Sequence, residues 1–305
     1  MTAPTLHEFM AGLGYVLPIN YTTNRIKRFN APDKPKVNRS AWLIVFSNGN
    51  AIFGNWSTAE QHIYSRSGER LPIAEYIKLK REIQAQRKQH KTNQLKGYIR
   101  AGSEAQAIIN NATPAPANHP YLVKKGIQSH GALHGDVLSY RNALIIPVYG
   151  TSPPFSNSLQ SIQFIMPDGS KRFLSGSKMK GGYHIIQQVK DAPIVVCEGF
   201  ATGATLADHY CQYSTVVCAF SASNLIHVAR WFKQQFPMQQ LTIAGDNDQH
   251  NKINIGASKA KQAALSLDCM MSLPYFTDNE KGNDWNDRYR LDQMNKSVNG
   301  GNYAQ

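Results

Sequence analysis

From residue 194 onward, short apolar runs alternate with longer amphipathic ones. Residues 194–197, 215–219, 241–244 and 270–273 are apolar, and the first three are rich in β-branched side chains, the pattern of strands buried on both faces. Between them, 201–210 is small and helix-compatible after Gly199, 223–236 sets Leu225, Val228, Ala229 and Phe232 at helical spacing, and 255–267 follows a glycine-containing turn. Strand and helix alternate, which predicts a parallel sheet with right-handed crossovers.

The pattern upstream is different. Residues 144–148, 159–165 and 171–174 read as antiparallel strands, joined by a proline-rich loop at 152–158 and a Pro167-Asp168-Gly169 turn. Nearer the N-terminus, two apolar runs flank Ser47-Asn48-Gly49-Asn50, a hairpin signal over 41–56. Residues 74–96 read as a long, basic, exposed helix. Residues 101–120 begin helical and end in a proline-rich break, where we set a boundary. The expected fold class is α/β: a mixed α+β basic subdomain with antiparallel hairpins, then a parallel sheet flanked by helices. The expected divisions are 1–115, 116–190, 191–290 and a tail of 291–305, disordered after about Lys296.

Chemistry concentrates at the ends of the parallel strands. Glu198 follows the run at 194–197, and Asp246-Asn247-Asp248 follows the run at 241–244. In an open α/β sheet the catalytic crevice lies outside the carboxyl ends of the strands, so these carboxylates meet ligand rather than core. Such a cluster suits Mg²⁺, with Mn²⁺ as an alternative, because hard cations take carboxylates together with substrate phosphates. Asp284 and Asp287, in a later polar loop, either add ligands or cap the helix that follows; the sequence leaves both readings open.

These residues carry a resemblance. Glu198-Gly199 after one strand, Asp246-x-Asp248 after another and Asp284-x-x-Asp287 resemble the Toprim domain shared by DnaG-type primases, topoisomerases and some nucleases. Pro120 to Ile127, the run at 144–148, Asp168-Gly169-Ser170-Lys171-Arg172-Phe173-Leu174-Ser175-Gly176 and Gly181-Gly182-Tyr183 are similar, in order, to the Toprim primases of plasmids and bacteriophages. The resemblance implies synthesis of short RNA primers on a single-stranded DNA template from nucleoside triphosphates. It makes Asp246 and Asp248 metal ligands, Glu198 a ligand or proton-transfer group, and Lys171 a contact to template or incoming nucleotide. Family members often add a zinc-binding module and a helicase. Neither is read here: Cys197, Cys211, Cys218 and Cys269 lack Cys-x-x-Cys spacing, so zinc is not expected, and no P-loop sequence occurs. A separate helicase is therefore an expected partner.

Charge agrees with a nucleic-acid partner. Of the net +13, residues 1–130 carry +11 and 131–190 carry +4, while 191–305 carries −2. A basic body precedes an acidic centre, which suits a surface that tracks phosphate beside one that binds cations. Arg172, Lys178 and Lys180 crowd a glycine-bearing stretch near Lys171. Arg25 and Arg28, with Lys27, Lys34, Lys36 and Arg39, precede the hairpin, where Trp42 and Trp56 are read as packing the sheet while the cations touch phosphate. No run reaches the roughly twenty apolar residues needed to span a bilayer, and few unpaired cysteines fit a reducing compartment, so a cytoplasmic location without membrane partners is expected. Two other functions use the same features: a Toprim-type metal-dependent nuclease, and a non-catalytic single-stranded-DNA-binding factor.

Overall fold

The computed structural model describes residues 4–34, 38–58, 60–66, 73–137, 140–251 and 253–300, so Lys36 lies outside the described residues. The chain forms two compact units, Met1–His90 and Lys91–Gln305.

In the first unit, α1 (Leu6–Gly12) begins with a capping box in which Thr5 Oγ1 accepts the Glu8 N–H and the Glu8 carboxylate accepts that of Thr5. Strands β1 (Lys27–Phe29), β2 (Ala41–Val45), β3 (Ala51–Asn55) and β4 (Gln61–Tyr64) form an antiparallel sheet in that order. The β2–β3 turn falls at the expected Asn-Gly pair. Only Gly49 there has positive φ, at 82°, and its N–H donates to Phe46 O at 3.0 Å. This is a type I turn closed by a left-handed glycine rather than a two-residue turn. Gly54 is required by close approach, since a Cβ there would lie 2.1 Å from Glu60 O. Met10, Tyr15, Leu43 and Phe53 pack one face of the sheet; Trp42, Ile44 and Ile52 are buried on the other, with Trp56 packed 5.4 Å from Trp42.

Helix α2 (Ile73–Asn110) is one continuous element, where the sequence suggested a basic helix over 74–96 and a second helical stretch from 101. Its last turns belong to the second unit. Ala101 and Ala105 pack against Ile145, Ile162, Phe164 and Leu174, and Gly102 admits the Phe155 ring, which a Cβ would meet at 2.7 Å. The compact units therefore part at His90, ahead of the proline-rich stretch where the sequence alone set a boundary.

The second unit is built on a ten-stranded sheet. Its strands are β5 (Thr113–Pro114), β6 (Leu133–Val137), β7 (Tyr140–Gly150), β8 (Leu159–Ile165), β9 (Lys171–Phe173), β10 (Gly182–Gln187), β11 (Ile194–Cys197), β12 (Thr215–Cys218), β13 (Leu241–Ala244) and β14 (Met270–Ser272). The order is β14-β13-β11-β12-β10-β7-β6-β5, with β8 and β9 branching from β7. Strands β12, β11, β13 and β14 are parallel, and the remaining pairings are antiparallel, with β10 joining the two halves. The crossovers are α4 (Phe200–Thr205), which continues as a π-helical turn over Leu206–Tyr210, then α5 (Ala222–Gln235) and α6 (Ile255–Leu267). Alternate residues of β11 serve opposite faces. Val195 and Cys197 pack with Phe200 and Ala204 of α4, while Ile194 and Val196 pack in the cluster that holds Val228 and Phe232 of α5 and Ala260 and Ala263 of α6. Each fully buried aliphatic or phenyl side chain here contributes about 1.5–3 kcal/mol.

Two further helices frame the carboxyl ends of the parallel strands. Helix α3 (Pro120–Lys125) ends at Gly126 in the left-handed conformation, φ 64°. Helix α7 (Trp285–Gly300) continues through most of the stretch expected to be a tail. It is held by Asn286, fully buried, whose amide donates to Lys125 O at 2.8 Å and Thr205 Oγ1 at 2.9 Å, and by Arg288, which pairs with Glu280 and Asp292. Among the described residues, no helix is long and apolar enough to cross a membrane.

Candidate active site

Strands β11 and β13 are hydrogen-bonded neighbours in which Cys197 pairs with Ala244. The residues that follow them, Glu198 and Gly245-Asp246, leave the sheet side by side. Gly245 is needed for this exit, because a Cβ there would lie 2.6 Å from the Ala260 Cβ. The backbone amides of Asp246 and of Ala222, the first residue of α5, bear electrostatically on the Glu198 carboxylate. Its Oε1 and the Oδ1 of Asp246 are buried and have no hydrogen-bond partner among the described residues.

Burial and mutual repulsion set the protonation of this pair. Burial pushes the Glu198 pKa up to about 7, with the Asp248 charge adding to the shift and the two backbone donors opposing it. Burial likewise raises Asp246 to about 8, followed by the charges of Glu198, Asp284 and Asp248, against the pull of Lys171. Asp284 is raised by burial too, with Lys125 and Lys171 working in the other direction. Lys171, at the start of β9, is thus the cation whose charge bears on both aspartates.

The remaining acids are tied more firmly. Asp248 Oδ2 accepts the Gly256 N–H at 3.2 Å, and its own N–H donates to Asn254 Oδ1 at 3.0 Å, so the start of α6 fixes it. Asp284 Oδ1 accepts the Asp287 N–H at 2.8 Å and caps α7, while its charge still bears on Asp246. Of the two readings of Asp284 left open by the sequence, the helix cap is the one seen in the structure. Asp287 accepts the Asn283 N–H at 3.2 Å and lies 3.9 Å from Lys125 Nζ. Asp248 and Asp287, with His250, Lys281 and Asn283, line an adjoining pocket of about 390 Å³.

Among the described residues, no three His, Cys, Asp or Glu side chains converge as a complete metal site. The donors nonetheless fit a hard divalent cation. Two buried carboxylate oxygens lack partners, and Mg²⁺ is commonly held by one or two carboxylates with substrate phosphates and water completing the shell.

Within the second unit, Lys178, Lys180 and Arg172 have neighbours of their own. Lys178 Nζ donates to Ser152 Oγ at 2.9 Å, which fastens the loop after β7, and it is electrostatically coupled to Lys180. Lys180 in turn bears on His227 of α5. Arg172 turns back to Lys171 O at 3.0 Å. Arg25 and Arg28 belong to the first compact unit. Sequence reasoning passed over Lys125, Asn254, Gly256, His250 and Lys281 as site residues, although Lys125 stood in the quoted run at 120–127 and Lys281 in the polar loop that carries Asp284 and Asp287.

The parallel strands, their crossovers and the carboxylates at their ends define a Toprim domain, and residues 193–292 match the family of that description. The resemblance to Toprim primases of the plasmid and phage type holds across more of the chain. It is 31% identical over 211 residues to a DNA primase TraC of Escherichia coli, and 28% identical over 230 residues to a second protein of that description from the same organism. These matches cover 67% and 73% of this chain but only 18% and 15% of the relatives' lengths. Among solved structures, the primase fragment of the bacteriophage T7 primase-helicase protein is similar over 58% of this chain and 72% of that one, with a TM-score of 0.42 and 15% identity.

Proposed function

We propose that this chain is a DNA primase that joins ribonucleotides into short primers on single-stranded DNA by metal-dependent nucleotidyl transfer. The observation that carries this reading is the pair of partnerless, buried carboxylate oxygens on Glu198 and Asp246, at the ends of adjacent parallel strands. Sequence similarity to the TraC primases supports the polymerising rather than the hydrolytic use of such a cluster.

Glu198, Asp246 and Asp248 would hold Mg²⁺ or Mn²⁺, with Asp284 and Asp287 as further acids around it. The bound ion supplies charge neutralisation at phosphorus and a more acidic attacking hydroxyl. The residues supply the rest. Glu198, with its partnerless Oε1, would serve either as a ligand to the ion or as the group that takes the proton from the 3′-hydroxyl. Lys171 orients a phosphate against the cluster and offsets its charge. Asp248, fixed by Gly256 and Asn254, keeps a constant position while its neighbours exchange protons for cation. The partners on this reading are template DNA and nucleoside triphosphates.

The test is incubation of the purified chain with single-stranded DNA, labelled nucleoside triphosphates and Mg²⁺ or Mn²⁺, beside Asp246→Asn. Short labelled oligomers made only by the unmodified chain are expected, with DNA binding nearly intact in the variant. Shortening of the DNA instead would replace this reading by a nuclease, and binding without either reaction would reduce the chain to a binding factor.

A further inference from the structure

The sheet face that carries Lys171 also carries an aromatic pair that the reading so far leaves unused. Strand β9 pairs with β8 so that Lys171 lies opposite Ile165 and Phe173 opposite Gln163. Lys171 and Phe173 therefore share one face of β9, about 7 Å apart along it. It is the face of the core that holds Cys197 and Cys218, the last residues of β11 and β12; Ile165 is buried there and Phe220 packs partly against it. The rings of Phe173 and Phe220 meet edge-on at 5.9 Å, with 84° between their planes. Phe173 nonetheless stays 37% exposed.

Phe220 ties the pair to the site. It lies two residues beyond β12, the neighbour of the strand that leads into Glu198, and two residues before Ala222 at the start of α5. Its φ is 67°, in the left-handed region that a bulky side chain seldom enters and that glycine enters without strain. Strain of this kind persists only where the surroundings fix it, and it concentrates at functional sites. Here Asn224 fixes the turn by donating to Ala219 O at 2.8 Å. At the other end of the pair, Lys171 is the residue whose charge bears on Asp246 and Asp284. An exposed aromatic ring and a cation thus lead along one strand toward the carboxylates.

We propose that Phe173, steadied by Phe220, is the stacking surface for the base of a nucleoside triphosphate whose phosphates lie at Lys171 and the carboxylates. This rests on the primase reading, which supplies the triphosphate. The separation of Phe173 from Lys171 suits a base and the phosphates of its own nucleotide. Stacking on an aromatic ring accepts every base, since each has a π-face, as template-directed synthesis requires. A template strand at the same place would set a phosphodiester against the carboxylates where the triphosphate must react.

Titration calorimetry in Mg²⁺ tests this with ATP and with inorganic tripolyphosphate, which has no base. Phe173→Leu keeps an apolar side chain against Phe220 and removes the π-face. It should weaken ATP binding about five-fold or more, the loss of one stacked base, and leave tripolyphosphate unaffected, while Phe173→Tyr keeps the wild-type affinity for both. In primer synthesis Phe173→Leu should raise the KM for nucleoside triphosphates by the same factor rather than lower kcat. Equal ATP affinity in the wild type and Phe173→Leu overturns the proposal. So does an equal loss of ATP and tripolyphosphate, which a packing role would give, or a loss confined to a labelled oligothymidylate, which would put the template there. Primer synthesis by the unmodified chain separates the two readings. Synthesis with unchanged ATP binding by Phe173→Leu sinks the stacking surface alone; selective loss of ATP without any wild-type synthesis sinks the primase reading and leaves the stacking surface standing.

Discussion

Replacing Asp246 by asparagine separates two demands on one side chain: staying folded without metal, and binding metal. The pKa of Asp246 stands at about 8 in the folded chain against an ordinary 3.8. The unfolded chain releases this proton near the lower value and the folded chain near the higher one. Between them the folded state binds more protons, so stability is greatest below about pH 4 and is lost as pH rises through about 8. The slope is at most ~1.4 kcal/mol per pH unit, which gives ~3 kcal/mol between pH 5.5 and 8. Water at the open crevice screens this roughly by half, leaving ~1.5 kcal/mol. Asparagine keeps the shape without the titration, so the variant should gain on the wild type by about 3–6 °C in unfolding midpoint over that range. The assay is thermal unfolding of both proteins in EDTA at pH 5.5 and pH 8, repeated with Mg²⁺, which should raise the wild type alone. A gap that does not widen with pH would refute the reasoning, because it would mean that Asp246 is ionised in the folded chain throughout.

Two other substitutions probe the supports of the site. Gly256→Ala places a Cβ 2.7 Å from Asp246 O and 3.2 Å from the Asp246 Cβ; primer synthesis should fall about 100-fold through displacement of the acid, with folding retained by circular dichroism, and normal activity would show that the Asp246 position is not critical. Asn286→Ala strands Lys125 O and Thr205 Oγ1; urea unfolding should register a loss of about 1–3 kcal/mol for each group left unpaired, and a loss below 1 kcal/mol would mean that α7 is held by other contacts.

The parallel half of the sheet was legible because its strands are covered on both faces, so 194–197, 215–218 and 241–244 read as unbroken apolar runs ending in glycine, phenylalanine or acid. Glu198 and Asp246 stood out for the same reason: a carboxylate directly after such a run has no core to enter. Strand β10 was not legible, since Gly182–Gln187 mixes glycine, histidine and glutamine with apolar residues, and its pairing with β7 and β12 is wholly non-local. Helix α1 was missed although Thr5-x-x-Glu8 is a capping signature. The stretches read separately over 74–96 and from 101 form one helix, α2, in which Gly97 and Gly102 are tolerated because tertiary packing supports it. Lys178 and Lys180 were grouped with Lys171 by nearness along the chain, but Lys178 is spent on Ser152, a contact no local pattern announces. Lys125 acts through a distant partner and is visible only once α3 has been set against the acids, whereas Asn254 bonds to Asp248 only six residues away and was passed over as an ordinary cap of α6.

Chain order and sheet order disagree at the joint between the two halves. The chain makes β10, β11 and then β12, whereas the sheet places β12 between the other two. Strand β11 therefore has no native neighbour when it is first synthesised, and the edge of β10 stays open until β12 emerges. At a synthesis rate of about 5–20 residues per second, that interval is on the order of one to four seconds. During it Ile194–Cys197, an apolar run with high strand propensity, lies free beside an open edge on which it does not belong. Glu198 reaches its final place only after a later strand has inserted ahead of it, so the half of the molecule that carries the chemistry is also the half whose assembly must wait.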